Sequence, residues 1–179
     1  MLDLLKKRRS IRQFQSRPVE KEKRDLILEA ALRSPSSRNF TPWEFVVVSD
    51  PQRMEAISRA KEHGSAFLKG APLAVVVCAD PEKSDVWIED CSIAAILIQM
   101  TAQSLGLGSC WVQIRRRMHD AGKSSEEYLK QLLDVPERFT VEAIIGIGYP
   151  DEVKPGHPEE SLQFDKLHFG RFGHGEGGE

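Results

Sequence analysis

The chain has 179 residues, of which 40% are hydrophobic, a size that suits one domain around a single core and excludes a long multidomain protein. Its 25 lysine and arginine residues nearly balance 27 aspartate and glutamate residues, and this net charge of −2 argues against nucleic acid or an anionic membrane as the main partner. The apolar runs fall short of the ~20 residues that a membrane-spanning helix needs, and the N-terminal charges follow the apolar residues, the reverse of a secretory signal. We therefore expect a cytoplasmic protein.

The N-terminal part of the chain predicts two helices and a loop. Apolar and basic residues over 2–9 predict a short helix, and 10–18 is expected to be extended. A second helix is predicted near 19–33, because a proline followed by charged residues is typical of a helix start. Pro35 and its serine neighbours predict a loop over 34–42.

The middle of the chain alternates strand and helix patterns. Aromatic and β-branched residues predict a strand over 43–48, and a capping aspartate before a proline predicts a helix near 51–62. A continuous apolar run between two prolines predicts a buried strand over 73–79. The helical pattern over 85–105 includes Ile93–Ile98, which is apolar on every face, so this helix is expected to be central or to lie in a subunit interface.

The C-terminal part predicts a strand over 109–114, a helix over 124–133 and a last strand over 141–147. From Tyr149 onward the chain is acidic but spaces leucine and phenylalanine residues through its polar sequence. We expect this tail to be an arm that packs against another surface and ends in a disordered, glycine-rich tip.

Two polar clusters are candidates for ligand binding. Arg8, Arg9 and Arg12 surround Ser10. One interpretation is a solvated basic surface, and the other is a site for a small phosphorylated ligand, because guanidinium groups bind phosphate in bidentate fashion. The loop 34–39 is rich in hydroxyl and amide groups, and is either a plain turn or part of a binding site.

Other motifs argue against several common chemistries. Gly106–Gly108 precedes a strand, and Gly146–Gly148 lacks a third glycine and a following helix, so neither is a dinucleotide-binding fingerprint. The three cysteines form no CxxC pair and the five histidines no close pair, which predicts neither a disulfide framework nor a metal centre. The run Arg115–Arg117 is either a solvated loop or a rim that recruits anions.

Four stretches between residues 4 and 150 form an ordered pattern. They are Arg8–Phe14, Ser34–Phe45, Leu105–Gln113 and Ile145–Pro150. Each stretch alone is weak evidence, but their order and spacing together resemble the nitroreductase family of flavin mononucleotide (FMN) enzymes in its short form.

The resemblance implies an α+β fold, a nitroreductase-like sandwich with a mostly antiparallel central sheet flanked by helices. It also implies an intertwined homodimer with one FMN at each end of the interface, in which helix 85–105 forms the dimer core and the tail embraces the partner. The corresponding domain prediction is a single FMN-binding domain over 1–173, followed by a disordered tail over 174–179.

The family pattern also implies cofactor-binding residues. Arg8, Ser10 and Arg12 match positions that hold the flavin phosphate, ribityl chain and pyrimidine edge, with Arg9 beside them. The implied set from the loop that the partner subunit contributes is Pro35, Ser36, Ser37 and Asn39. Trp111, Val112 and Gln113 match the stretch beside the isoalloxazine ring, where a backbone N–H near Gln113 would face flavin N5. Catalytic side chains are not implied, because the flavin carries the hydride chemistry.

This chain departs from the family pattern in two places. Thr41 replaces the usual glutamine before Pro42, which removes one amide from the loop. Many relatives carry a Lys-x-Arg pair in the tail that helps to bind phosphate, and Glu159–Leu162 stands near that place here. Phosphate binding is therefore expected to depend more heavily on the N-terminal arginines.

The function implied is that of an oxidoreductase that passes electrons from NADH or NADPH through FMN to nitroaromatics, quinones or similar small acceptors, with ping-pong kinetics. Two alternatives remain open at this point. One is a specialised relative, such as a dehalogenase, an ene reductase or a flavin-cleaving enzyme. The other is a protein that binds flavin without useful turnover.

Overall fold

A four-stranded sheet between two layers of helices forms the centre of the computed structural model, which describes residues 1–175. The helices and strands, in chain order, are α1 (Leu2–Lys7), α2 (Lys21–Leu32), β1 (Trp43–Val48), α3 (Pro51–Ile57), β2 (Leu73–Ala79), α4 (Trp87–Ser104), β3 (Gly108–Gln113), α5 (Ser125–Leu133) and β4 (Thr140–Gly148). Short 3₁₀ turns lie at Ser37–Asn39, Ala66–Gly70, Glu159–Ser161 and Phe164–Lys166.

The strand order is β1-β2-β4-β3, and every neighbouring pair is antiparallel. This arrangement confirms the expected α+β class with an antiparallel central sheet. Strands β2 and β4 occupy the middle, and nearly all of their residues are buried, which explains why both are almost continuous apolar runs. The two edge positions belong to β1 and β3.

Side chains of β2 alternate between two cores, one on each face of the sheet. Val75 and Val77 pack with residues of α2 and α4, whereas Ala74 and Val76 pack with residues of α3 and α5. The helix that the sequence predicted to be apolar on every face is α4. Its Ala95 packs against the sheet, but its opposite face is open in the single chain.

Helix α3 ends at Ile57, five residues earlier than the predicted boundary near 62. The reason lies in Ser65, whose buried hydroxyl donates to the carbonyl of Ser58 at 2.7 Å and accepts from the backbone N–H of Lys61 at 3.2 Å. These contacts stabilise a turn over 58–65 instead of further helix. The periodicity of apolar residues does not reveal such a hydrogen bond from a serine that lies beyond the end of the helix.

The extended segment 10–18 begins beside Ser109 of β3 and continues past the end of β4. Ser10 forms a parallel bridge with Ser109, and Phe14 pairs with Pro150 beyond the end of β4. The segment is therefore attached to the sheet and carries the basic cluster to the start of β3.

The tail from residue 151 runs over the surface, and most of its apolar side chains are exposed. Leu162, Phe164, Leu167, Phe169 and Phe172 all have at least 45% of their surface exposed. Residues 176–179 of the predicted disordered tip lie outside the described residues. Within residues 1–175, the helices are too short or too polar to cross a membrane.

Candidate active site

Three cations gather at the start of β3. The N–H of Ile11 donates to the carbonyl of Ser109 at 3.0 Å, which fixes the basic segment beside the strand. Burial raises the pKa of the Cys110 thiol, and the nearby charges of Arg12, Lys154 and Arg8 oppose that shift. All three cations therefore lie around the same strand residue.

Lys154 is held in this cluster by hydrogen bonds. Its Nζ donates to the carbonyl of Ser10 and to Glu152 Oε1, each at 3.0 Å. The same carboxylate accepts from the backbone N–H groups of Arg12 and Gln13, and the first of these bonds is the main reason that the pKa of Glu152 lies below its usual range. Three positive side chains and one negative one leave an excess of two positive charges, which suits a phosphate monoester of charge about −2.

The tail reaches this cluster through a close backbone approach. A Cβ atom at Gly156 would lie only 1.9 Å from the carbonyl oxygen of Lys6, so only glycine fits there. Arg9 donates its guanidinium N–H to the carbonyl of Pro155 next to this point. Arg9 therefore binds the tail at Pro155, and the adjoining tail residue Lys154 contacts Ser10.

Backbone N–H groups line the open edge of β3. The carbonyl of Ser109 accepts from the N–H of Ile11 on the outer side of the strand. The N–H of Ile114 donates to the backbone carbonyl of Glu142 of β4 on the inner side. Backbone groups alternate in direction along an antiparallel strand, so the N–H groups of Trp111 and Gln113 point outward. By the same alternation, the backbone N–H and carbonyl of Val112 face β4, and its side chain is buried in the core.

The side chains at this end of β3 hold one another in place. Trp111 Nε1 donates to Gln113 Oε1 at 3.0 Å, and Gln113 Nε2 donates to the carbonyl of Arg115 at 3.2 Å. Both side chains are half-buried. The edge of β3 therefore presents a cationic cluster at its start and an ordered polar strip at its end.

The loop 34–42 lies elsewhere in the chain. It leads into β1, the opposite edge of the sheet, and β2 and β4 separate that edge from β3. Four strands spaced at ~4.8 Å put the two edges about 14 Å apart. A single chain therefore does not bring Pro35, Ser36, Ser37 and Asn39 together with the residues on β3.

Sequence reasoning missed Lys154, a member of the cationic cluster, and Glu152, the carboxylate that holds it. They lie in a proline-rich stretch beyond the last strand, and their spacing carries no motif that points to the N-terminus. Only the fold shows that Lys154 of the tail joins the N-terminal arginines, on which phosphate binding is expected to depend more heavily.

Comparison with known proteins gives the family. The sequence matches the profile of the nitroreductase family over residues 5–62 and 49–149. This chain belongs to the nitroreductase family. The recognition made from the four ordered stretches is therefore confirmed.

Individual members of the nitroreductase family and other relatives match nearly the full length of this chain. The structure of an FMN-dependent nitroreductase from Clostridium difficile superimposes with a TM-score of 0.95 at 50% identity, and the match covers 96% of this chain and 100% of that one. A protein of Archaeoglobus fulgidus, whose name includes "NADH dehydrogenase/NAD(P)H nitroreductase", is 35% identical over 172 residues, 93% of this chain and 95% of that protein. An iodotyrosine deiodinase of Thermotoga neapolitana is 24% identical over 190 residues, 90% of this chain and 95% of that protein.

Proposed function

We propose that this nitroreductase-family protein is an FMN-dependent oxidoreductase that takes electrons from NADH or NADPH and reduces nitroaromatics, quinones or similar small acceptors. The observation that carries the proposal is the edge of β3, whose surface has three cations at one end and outward N–H groups at the other. Such a surface suits a ligand with a phosphate at one end and a flat polar ring at the other.

The cationic cluster holds the FMN phosphate. Arg8, Arg12 and Lys154 supply charge, and Ser10 supplies a hydroxyl group at the same place. Arg9 contributes by fixing the tail segment against the N-terminal segment. Charged hydrogen bonds to phosphate are stronger than neutral ones, so this end of the site supplies most of the binding affinity.

The polar strip holds the ring system. The backbone of Trp111, Val112 and Gln113 lies along it, with the Gln113 N–H available to a ring nitrogen. When bound, FMN supplies the hydride chemistry, so the chain needs to hold and orient it and to keep one face open to small molecules. A catalytic acid or base from the chain is not part of this proposal.

A second copy of the chain completes the site. The loop residues Pro35, Ser36, Ser37 and Asn39 lie on the far edge of the sheet in one protomer, so they reach the edge of β3 only from a partner. The exposed isoleucines of α4 and the apolar tail supply the surface for a homodimer.

The electron donor and the acceptor use the same open face in turn. The two glycine pairs do not form a dinucleotide-binding turn, because Gly106 ends α4 ahead of β3 and Gly146 lies inside β4. We therefore expect ping-pong kinetics, with parallel lines in double-reciprocal plots. Intersecting lines, which indicate a ternary complex, would contradict this order of events.

A reductive dehalogenase is the second candidate, because one relative of similar length is named as an iodotyrosine deiodinase. Both candidates need bound FMN, but they differ in the acceptor. Turnover with a halotyrosine in the absence of turnover with nitroaromatics or quinones would favour the second candidate.

The test begins with an absorbance spectrum of the purified protein, followed by mass analysis of what heating releases. A two-band flavin spectrum with about one FMN per chain supports the proposal, and oxidation of NADH or NADPH that depends on a nitro compound then separates an enzyme from a flavin-binding protein. A colourless protein that takes up no added FMN would refute the function.

A further inference from the structure

We propose that Asp90, on the first turn of α4, is the positioning residue that holds the loop 34–42 in the shape with which it contacts FMN in the partner subunit. This inference rests on the proposed function. It assigns a role to a buried acidic residue that does not itself touch the edge of β3.

Asp90 is 2% exposed, and each oxygen of its carboxylate accepts one hydrogen bond. Its Oδ1 accepts from the backbone N–H of Ser37 at 2.8 Å, and its Oδ2 accepts from the hydroxyl of Ser84 at 2.9 Å. Among the described residues, the ion pairs do not include Asp90. A buried carboxylate without a cation is costly unless its oxygens accept hydrogen bonds, and here each oxygen accepts one.

The loop that Asp90 contacts is strained. Arg38, Asn39 and Thr41 have φ values of 49°, 59° and 45°, in the left-handed region. Each such residue other than glycine or asparagine costs about 1–2 kcal/mol, and a cluster of them persists only where the surroundings hold the backbone. Strain of this kind, concentrated in a loop that supplies binding residues, is typical of a preorganised site.

The bond from Ser37 to Asp90 reaches the middle of this loop from outside. The other hydrogen bonds of the strained segment are internal, such as Thr41 N–H to Ser36 Oγ at 2.9 Å and Phe40 N–H to the carbonyl of Ser37 at 2.9 Å. At the base of the loop, the N–H of Asp80 donates to the carbonyl of Pro42. Asp90 therefore joins the tip of the loop to α4, the helix that we assign to the dimer core.

What Ser37 requires from this position is an oxygen that accepts a hydrogen bond, not a negative charge. Asparagine supplies that oxygen, and the Ser84 hydroxyl can accept from its amide group. We therefore expect Asp90→Asn to keep FMN affinity within about threefold of the wild type, and Asp90→Ala to weaken it by at least tenfold, about 1.4 kcal/mol.

Ser84→Ala is the matched control. It removes the other hydrogen bond of the same carboxylate without touching the loop, so FMN affinity should change by less than about threefold. A loss as large as that of Asp90→Ala would show that the general environment of the carboxylate matters, and would contradict a specific role in holding Ser37.

The experiment is a titration of the dimeric apoprotein with FMN, followed by fluorescence quenching, for wild type and each variant. Amide hydrogen exchange over 36–41 in the apoprotein supplies a readout that does not depend on FMN. Faster exchange in Asp90→Ala, but not in Asp90→Asn, is expected from the loss of the anchor. Unchanged exchange and unchanged affinity in Asp90→Ala would overturn the proposal, as would an Asp90→Asn variant as weak as Asp90→Ala.

A variant on the other side of the bond covers the case in which Asp90→Ala does not fold. Ser37→Pro removes the donor N–H, and the residue before it has the extended backbone that proline tolerates, with φ −140° and ψ 159° at Ser36. Because Ser37 also belongs to the proposed FMN-binding loop, the readout of this variant is amide exchange over 38–41 together with affinity. Faster exchange and a tenfold loss of affinity are expected, and wild-type exchange and affinity would also overturn the role of Asp90. A wild-type protein that takes up no FMN instead refutes the proposed function itself, so the two failures are distinguishable.

Discussion

At the proposed phosphate end of the site, we expect single charged contacts to set the affinity for FMN. Arg8 lies close enough to Cys110 for its charge to act on the thiol, in the same cluster as Arg12 and Lys154. Hydrogen bonds to a charged group contribute about 1.5–3 kcal/mol, so Arg8→Ala should weaken FMN binding at least tenfold, about 1.4 kcal/mol or more. The control is Arg53→Ala on α3, which removes an exposed arginine outside the cluster. Equal FMN affinities of the two variants in a fluorescence titration would reject the role of Arg8.

Glu142 is a second acidic residue in the core, and it differs from Asp90 in leaving one oxygen unsatisfied. It is 3% exposed on β4, and its Oε1 accepts from the hydroxyl of Ser92 at 2.8 Å. Within residues 1–175, its Oε2 has no hydrogen-bond partner. Burial raises the pKa of this carboxyl group above its ordinary 4.5, against the weaker opposing effects of Ser92 and Arg115.

This raised pKa predicts a stability that depends on pH. The folded chain binds the proton more tightly than the unfolded chain, so the free energy of unfolding falls as pH rises from 4.5 to the higher folded pKa and is then level. Glu142→Gln cannot ionise, so it should gain stability relative to the wild type across that window, by about 1.4 kcal/mol for each unit of raised pKa. Urea unfolding at several pH values measures the difference. Glu55→Gln, at an exposed position, should show no such trend, and a parallel pH dependence of Glu142→Gln and wild type would contradict the prediction.

These residues show what sequence can and cannot predict about a site. Arg8, Ser10 and Arg12 could be proposed from sequence because they are close in sequence and their chemistry suits phosphate. Lys154 lies 144 residues from Ser10, and Asp90 lies 53 residues from Ser37, so their contacts depend on the completed fold. Left-handed backbone at Arg38 and Thr41 was also beyond sequence reasoning, because neither residue type favours it.

At the scale of elements, the glycine pair of β4 is explained by packing. A Cβ atom at Gly148 would lie 2.5 Å from Cδ of Pro72, and one at Gly146 would lie 2.7 Å from Leu68. The proline ring cannot turn aside, so Gly148→Ala should destabilise the protein by about 1–3 kcal/mol through overpacking. Gly70→Ala is the control, because a Cβ atom there meets nothing within 4 Å. Thermal unfolding of the two variants checks this, and equal effects would show that the close approach to Pro72 is unimportant.

Element boundaries were predicted well where turn residues set them. Strands β1 and β2 begin and end where the sequence predicted, because prolines and other turn residues flank both runs of strand-forming residues. The end of α3 was predicted wrongly, because it depends on a side-chain hydrogen bond from Ser65. Local patterns therefore predict elements that are bounded by turn residues, and fail where a distant polar group stops a helix.

At the scale of the whole molecule, a single chain exposes large apolar side chains on α4 and near the tail. On α4, Ile93 and Ile96 are 38% and 40% exposed. Where α1 meets the tail, an open cavity of about 590 Å³ is lined by Leu2, Leu5 and Leu162. Exposed apolar side chains of this kind are typical of an interaction site. The proposed homodimer would cover them, and it would also bring loop 34–42 of one chain to β3 of the other.

A substitution at Ile96 separates the monomeric and the dimeric interpretation. If the single chain were the functional unit, Ile96→Lys would place a charge on a partly solvated surface and change stability by only about ±0.5 kcal/mol. In a dimer with α4 at its core, the same lysine would be buried without a partner, which costs several kcal/mol and should yield monomers at micromolar concentration. Light scattering after size exclusion measures the mass, and the loss of the dimer should remove FMN binding as well, because the loop from the partner is then missing.

Met118→Lys, at a position 51% exposed on a different surface, is expected to remain dimeric and to keep its FMN. Ile96→Lys that remains a dimer with bound FMN would mean that α4 does not lie in the interface and that another surface brings the two chains together.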